Sequence, residues 1–197
     1  MVIIINATDV HSGGGKVMLN DLLLAAQPME NIYFHVFVDP RYEKIICAAN
    51  NIKYYNVSKF KRIFVDLRIR LLVESNSVVL NIGTMPSFLK HECTIIQFLM
   101  NRYVIDNYPT NDLPVLVSLR LSLQKVAFRY FLSNADYIFV HNQVMKELLL
   151  KLNINHDLIK IVPYKNPEIK RKHLNKKKKD SFIYVASDEP HKNHKNL

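Results

Sequence analysis

Short apolar runs alternate with amphipathic stretches along the first 163 residues of the chain. Runs rich in β-branched residues predict strands at residues 2–6, 32–38, 52–57, 77–82, 94–99, 137–141 and 158–162. Between them, apolar positions at helical spacing predict helices at residues 14–27, 42–49, 59–74, 115–133 and 143–152. Continuous apolar strands that alternate with helices are typical of a parallel sheet covered on both faces. The pattern therefore predicts an α/β fold with a doubly wound, Rossmann-like parallel sheet.

Two of the predicted helices are both amphipathic and basic. Helix 59–74 carries the apolar stripe Phe60, Ile63, Phe64, Leu67 and Leu71. Helix 115–133 carries the apolar stripe Leu116, Leu119, Leu123, Val126 and Tyr130. The simplest interpretation packs each stripe on the sheet and leaves the basic residues in solvent. A second interpretation is adsorption to anionic lipid, which basic flanks and aromatic residues favour.

The pattern changes after residue 163, where a basic segment begins. Residues 170–179 hold 7 of the 27 Lys and Arg residues and no acidic residue, which leaves 20 basic against 17 acidic residues elsewhere. We interpret residues 164–180 as a solvated basic linker, with phosphate or acidic-lipid binding as a secondary interpretation. Because the basic block has no interleaved aromatic residues, the net charge of +10 does not indicate a nucleic-acid-binding protein.

Residues 181–197 have the pattern of a second structural unit that is only begun. Residues 181–187, Ser-Phe-Ile-Tyr-Val-Ala-Ser, predict a buried strand, and the rest predicts a turn and the start of a helix. A strand of this kind needs neighbouring strands and covering helices. We therefore expect three parts: a Rossmann-like domain at residues 1–163, the linker at 164–180, and a truncated second domain at 181–197.

Composition disfavours several classes of protein. The chain has no run of about eighteen apolar residues and no basic leader, so a cytoplasmic protein is expected. Cys47 and Cys93 lie far apart without metal-ligand spacing, which indicates reduced structural thiols. His191 and His194 have no third ligand near them in sequence, so no metal site is predicted.

The most distinctive local signal is the turn after the first strand. Gly13, Gly14 and Gly15 are three of the four glycines in the chain and open a helix. Consecutive glycines let a ligand approach the backbone, and a helix start offers free N–H groups to an anion. The turn is not a Walker loop, because Val17 replaces its Ser or Thr, nor a dinucleotide fingerprint, because Met18 replaces its third glycine. It indicates an anion or sugar site, with a merely tight turn as the alternative.

In order along the chain, these pieces resemble the landmarks of retaining GT-B glycosyltransferases that use nucleotide-sugar donors. The landmarks are the triple glycine and residues 134–146, 159–163, 184–187 and 190–197. The last is the most specific, since Pro-His-Lys-Asn-His-Lys-Asn-Leu after a strand resembles the opening of that family's donor-binding domain. The resemblance implies two facing domains, with the acceptor on the first and the nucleotide-sugar on the second.

The same resemblance implies positions for substrate-binding residues. It places Gly13, Gly14 and Gly15 at the cleft, facing the donor diphosphate and the acceptor, and Asn142 at the end of a strand that also borders the cleft.

Asn101 and Arg102 are implied as acceptor contacts, in one loop region with Gln97, although an ordinary surface loop is an equal alternative. The histidine that many relatives use in the first domain has no clear match. His91 is nearest in order, and between charged neighbours we expect it to be exposed. No catalytic residue is assigned.

Two functions stay open. The first is a glycosyltransferase of polysaccharide or glycoconjugate biosynthesis that transfers a sugar from a nucleotide-sugar to a glycan or lipid-linked acceptor. The second is a truncated, non-catalytic product that is inactive or only binds the acceptor. The family's paired glutamates, eight positions apart, have no match in this chain, so we expect little transfer by the chain alone. No metal or other cofactor is expected, and peripheral contact with the inner face of an anionic membrane stays open.

Overall fold

The computed structural model describes residues 1–43, 49–106 and 114–163. Within them, seven parallel strands form one sheet in the order β3-β2-β1-β4-β5-β6-β7. The strands are β1 (Val2–Ala7), β2 (Tyr33–Val38), β3 (Ile52–Asn56), β4 (Val78–Gly83), β5 (Thr94–Leu99), β6 (Tyr137–Val140) and β7 (Ile159–Ile161). Each matches one of the seven strands predicted in residues 1–163, so that part of the prediction is confirmed.

Helices cover both faces of this sheet. They are α1 (Gly13–Ala26), α2 (Val65–Arg70), α3 (Val115–Phe131) and α4 (Gln143–Lys151). Ile4 and Ile5 are neighbours on the interior strand β1 and both are fully buried, so both faces of this strand are covered at that point. Ile5 packs in one core cluster with buried residues of α1, and Ile4 packs in another with buried residues of α2, α3 and α4. The doubly wound α/β fold is therefore confirmed.

The predicted helix 59–74 differs from the structure in form and in orientation. A 3₁₀ helix (Lys59–Phe64) precedes α2, which ends at Arg70. For the three stripe residues whose side chains the structure describes, the prediction is wrong: Phe64, Leu67 and Leu71 are exposed, whereas Val65 and Ile69 are buried. A 3₁₀ helix has about 3.0 residues per turn, so a stripe drawn at helical spacing loses its phase on crossing it.

The stripe predicted to pack in helix 115–133 is also exposed. All five of its apolar residues are exposed, and Phe128 is the buried residue of α3. Val104 and Ile105, from the turn after β5, are buried in the core cluster on this face. They fill part of the sheet surface beneath α3, so the helix packs through its opposite side.

Some predictions fall outside the described residues. Residues 44–48 hold most of predicted helix 42–49, and residues 164–197 hold the linker and the second-domain strand, so the three-part division stays a prediction. Cys47 lies outside as well, while Cys93 is half-buried and burial raises the pKa of its thiol. None of the helices in the described part is long and apolar enough to span a membrane.

Candidate functional site at the carboxyl edge of the sheet

The residues predicted to bind substrate gather at one edge of the sheet. All seven strands are parallel, so the loops that follow them lie at the carboxyl edge, where α/β folds bind ligands. The triple glycine follows β1, Asn101 and Arg102 follow β5, and Asn142 follows β6. The structure thus brings them to one edge, although their role in binding stays a prediction.

The three glycines meet different local requirements. Gly13 has φ +62°, in the left-handed region that favours glycine. A Cβ on Gly15 would lie 3.3 Å from Cγ1 of Val10 and 3.6 Å from Sδ of Met100, so this turn is packed against the end of β5. A Cβ on Gly14 would meet nothing within 4 Å. Gly13 likewise faces open space, so Gly14 differs from it in having no left-handed φ and from Gly15 in having no close neighbour.

A charged cluster of Asp9, Asp39, Arg41 and Arg62 links the ends of three strands. Arg62 donates from Nη1 to Oδ1 of Asp9 and from Nη2 to Oδ2 of Asp39, both at 2.6 Å. Asp9 follows β1, Asp39 follows β2 and Arg62 follows β3, so one guanidinium joins all three loops. The cluster fixes the relative positions of these loops.

Asp39 is the buried centre of the charged cluster, with a side chain that is 2% exposed. Its Oδ1 accepts from N and Nε of Arg41 at 2.9 and 2.8 Å, and its Oδ2 accepts from Nη2 of the same residue at 2.8 Å. These bonds, above all those from the Arg41 side chain, hold the pKa of Asp39 well below its usual range against the effect of burial. Asp39 is therefore ionised at neutral pH, and two carboxylates face two guanidinium groups.

A line of three amides, of which Asn81 and Gln97 are buried and Asn6 is half-buried, crosses the sheet beside this cluster. Asn6, Asn81 and Gln97 are in register on β1, β4 and β5. Asn6 donates from Nδ2 to Oδ1 of Asn81 at 3.2 Å, and Asn81 donates from Nδ2 to Oγ of Ser87 at 3.0 Å. Gln97 donates from Nε2 to the carbonyl of Gly83 at 3.1 Å, while its Oε1 is buried without a partner among the described residues. Polar side chains inside an apolar sheet require partners, and this line supplies most of them.

The amide line and the charged cluster meet at a small cavity of about 70 Å³. Its lining residues come from the ends of β1 and β4, the start of α2 and the loop after β4: Asn6, Thr8, Asp9, Arg62, Val65, Asp66, Ile82, Met85, Pro86 and Phe88. Amide, hydroxyl, carboxylate and guanidinium groups together offer both donors and acceptors. The cavity can accommodate a small polar group, such as a hydroxyl or hydroxymethyl group, with the rest of a ligand outside.

His91 is buried, contrary to the prediction that it is exposed. Its side chain is enclosed, and Nε2 lies 3.7 Å from Oδ1 of Asp66. The loop after β4 folds back beneath α2, because Oδ2 of Asp66 accepts a hydrogen bond from the backbone N–H of Phe88. The charged neighbours Lys90 and Glu92 are both exposed, so they take the solvent side of the loop and His91 takes the inner side.

Three of the predicted binding residues make local contacts at the edge. Oδ1 of Asn101 accepts from the backbone N–H of Tyr103 at 3.0 Å, and Oδ1 of Asn142 caps α4 by accepting from that of Met145 at 3.0 Å. Arg102 is exposed and donates from Nε to Oδ2 of Asp106 at 2.7 Å. None of the three is among the residues that line the cavity.

The sequence reasoning missed the residues that build the cavity. Asn6 inside an apolar strand and Asp9 directly after it carried a signal, since buried strands rarely hold an amide without a partner. His141, at the end of β6, is another edge residue without a predicted role; burial lowers the pKa of its imidazole, and its ring centroid lies 4.8 Å from that of Phe98. No cluster of three metal-binding side chains occurs within the described ranges.

Comparison with known proteins identifies the fold. No protein-family model and no curated protein matches the sequence. Among solved structures, the chain is similar to the apo form of the lipopolysaccharide outer core galactosyltransferase WaaB, with a TM-score of 0.50 and 12% identity over 82% of this chain and 45% of that one. It also matches the UDP-GlcNAc 2-epimerase from Methanocaldococcus jannaschii (TM-score 0.47, 12% identity, 82% of this chain and 45% of that one). A third match is E. coli heptosyltransferase WaaC with ADP (TM-score 0.34, 13% identity, 85% and 76%).

The chain spans less than half the length of WaaB. At 12% identity the likeness concerns the fold, and it agrees with the sheet order and helix placement described above. The described part of the chain accordingly has a Rossmann-like α/β fold similar to that of part of WaaB.

Proposed function

We propose that this chain is the acceptor-side part of a retaining GT-B glycosyltransferase of polysaccharide or glycoconjugate biosynthesis. The whole enzyme would transfer a sugar from a nucleotide-sugar to a glycan or lipid-linked acceptor. The observation that carries the proposal is the polar cavity at the carboxyl edge of a sheet with the fold found in WaaB. Its amide, carboxylate and guanidinium groups are those that recognise sugar hydroxyls, which both donate and accept hydrogen bonds.

The proposal assigns different tasks to the two parts of the edge. In the cavity, Asn6 and Asp9 accept hydrogen bonds from an acceptor hydroxyl, while Arg62 holds the Asp9 side chain in place. The open face of Gly14, at the start of α1, admits the donor diphosphate, which the helix dipole favours. Recognition of the nucleotide and of the transferred sugar is assigned to residues outside the described ranges, with no metal required.

A non-catalytic role in acceptor binding is the second candidate. The described residues form one domain, and the sequence has no two glutamates eight positions apart, which the resemblance implies for holding the donor. An acceptor-binding chain would need the cavity but not the face of Gly14. The two candidates therefore differ in what substitution at Gly14 does.

Glycan binding by the full chain tests the cavity. Isothermal titration against a panel of neutral and acidic oligosaccharides should give binding to at least one member. Met85→Trp places a large ring in the cavity, so we expect it to weaken that binding by at least about tenfold. Met29→Trp is the matched control, because Met29 is exposed and lies outside the cavity. Failure of every glycan to bind, or equal losses in both variants, would contradict the proposal.

Sugar transfer distinguishes the two candidates. The full chain is incubated with labelled nucleotide-sugars and the bound glycan, alone and together with a separately supplied donor-binding domain. The enzymatic candidate gives transfer in the mixture that Gly14→Asp abolishes and Leu24→Asp, at the exposed far end of α1, leaves unchanged. Glycan binding without transfer in either mixture supports the acceptor-binding candidate.

A further inference from the structure

Helix α3 presents an apolar stripe to solvent along its whole length. Leu116 is 80% exposed, Leu123 is 62% exposed and Tyr130 is 75% exposed, and Leu119 and Val126 lie between them with more than half of their surface exposed. Isolated apolar residues on a surface are ordinary, but a continuous stripe of this kind marks an interaction site. The α3 stripe therefore has the character of a docking surface.

The positions of the arginines relative to the stripe indicate the chemistry of that partner. An α-helix turns by about 100° per residue, which places the α3 stripe on the side away from the buried Phe128. By the same geometry Arg120 and Arg129 each lie about 90° from the centre of the stripe, on opposite sides. The apolar stripe is thus bordered by a guanidinium on both flanks.

Charge on α3 is of one sign. The helix carries Arg120, Lys125 and Arg129 and no acidic residue. This distribution fits a partner whose outer layer carries negative charge and whose interior, below that layer, is apolar.

A second surface of the same kind lies on the same side of the sheet. The buried residues of α2 and α3 share one core cluster, so both helices cover the same face. Phe64, Leu67 and Leu71 are exposed there, and so are the basic residues Arg68 and Arg70. Asp66, the acidic residue of α2, is buried. This face therefore combines exposed apolar side chains with exposed basic ones on two helices.

We propose that α3, assisted by α2, docks the protein on an anionic membrane surface. The α3 stripe enters the boundary between headgroups and acyl chains, as in interfacial amphipathic helices. Arg120 and Arg129 meet lipid phosphates on its two flanks, because each basic residue near an anionic leaflet adds attraction. The proposal goes beyond sugar transfer and does not depend on it.

Sedimentation of the full chain with lipid vesicles tests the membrane surface. Vesicles of phosphatidylcholine with one third phosphatidylglycerol should bind the protein, and pure phosphatidylcholine should bind it at least about tenfold more weakly. The double variant Leu119→Ser, Leu123→Ser should lower binding to the anionic vesicles by at least about tenfold. Leu24→Ser, at an exposed leucine on α1 over the opposite face, should leave it unchanged.

Charge reversal and oligomeric state complete the test. Arg120→Glu, Arg129→Glu should reduce binding to anionic vesicles, whereas Lys160→Glu, at an exposed position on β7, should not. No binding of the wild-type chain to anionic vesicles, or equal loss in the α1 control, overturns the proposal. Sedimentation equilibrium that shows a dimer of the wild type and a monomer of the serine variant would also overturn it, because a second copy would then cover the stripe. Inactivity in sugar transfer leaves every one of these readouts unaffected.

Discussion

Helices α1 and α3 are of similar length and both show apolar residues at helical spacing, yet they meet the sheet differently. Helix α1 buries Met18, Leu19, Asn20, Leu23 and Ala26. Helix α3 buries Phe128 and turns its longest apolar stripe to solvent. Helical spacing thus shows that a helix has an apolar side, but it does not show what that side faces.

The difference arises from what occupies the sheet beneath each helix. Under α1, side chains of the sheet such as Ile5 and Val36 lie in one core cluster with the buried residues of the helix. Under α3, the turn after β5 contributes Val104 and Ile105, and Phe88 from the loop after β4 contacts Phe131 with ring centroids 4.9 Å apart. These inserted residues already bury the sheet, so only the end of α3 needs to reach the core.

The largest expected effect is a difference in the free energy of unfolding between two leucine variants, one on α1 and one on α3. Leu23→Ala on α1 should lower the free energy of unfolding by about 3 kcal/mol, because it leaves a cavity in a fully buried site. Leu123→Ala on α3 should change it by less than about 0.5 kcal/mol, because that side chain is exposed. Urea unfolding of the two variants measures both values. Equal losses would show that α3 is packed through its stripe.

The charged cluster lies at the strand ends and has a buried carboxylate at its centre, and Asp39→Asn tests the contribution of that carboxylate. We expect a loss of about 2 kcal/mol at pH 7, because Asp39 accepts charged hydrogen bonds from Arg41 and Arg62. The folded state holds the pKa of Asp39 below its unfolded value, so this stabilisation is complete above about pH 4 and declines as the pH falls further. The difference between the urea midpoints of the two proteins should therefore stay constant from pH 7 to about pH 5 and become smaller as the pH falls to 2.5. A gap that is constant with pH would indicate lost packing instead of lost charge.

The smallest effect concerns the first residues of α1. Gly14→Ala should raise the free energy of unfolding by about 0.5 kcal/mol, since the added methyl group meets no atom within 4 Å and alanine favours a helix. Gly13→Ala should lower it by about 1 kcal/mol, because φ +62° is strained for alanine. Thermal unfolding measures the two opposite shifts. Shifts of the same sign would mean that the turn changes conformation when either glycine is replaced.

The local pattern of apolar and polar residues was sufficient to predict the strands of the sheet, but it was not sufficient to predict the residues of the candidate site. The interior strands could be predicted because a strand buried on both faces has a continuous apolar run. The edge strands β3 and β7, which are partly exposed, could be predicted from their β-branched and aromatic residues. The cavity could not, because Asn6 bonds to Asn81, 75 residues away, and Arg62 bonds to Asp9, 53 residues away. His91 was wrongly predicted to be exposed for the same reason: its burial depends on Asp66 on another element.

The sequence by itself determined the α/β class, the parallel order of strand and helix, and the glycine turn at the start of α1, because each is set by residues close together in the chain. The tertiary structure alone decided which side of α2 and α3 is buried, which polar side chains surround the cavity, and that Asp39 lies at the centre of a charged cluster. These features depend on contacts between elements far apart in sequence. The residues near a helix or a carboxylate in the chain do not specify which surface will pack against it.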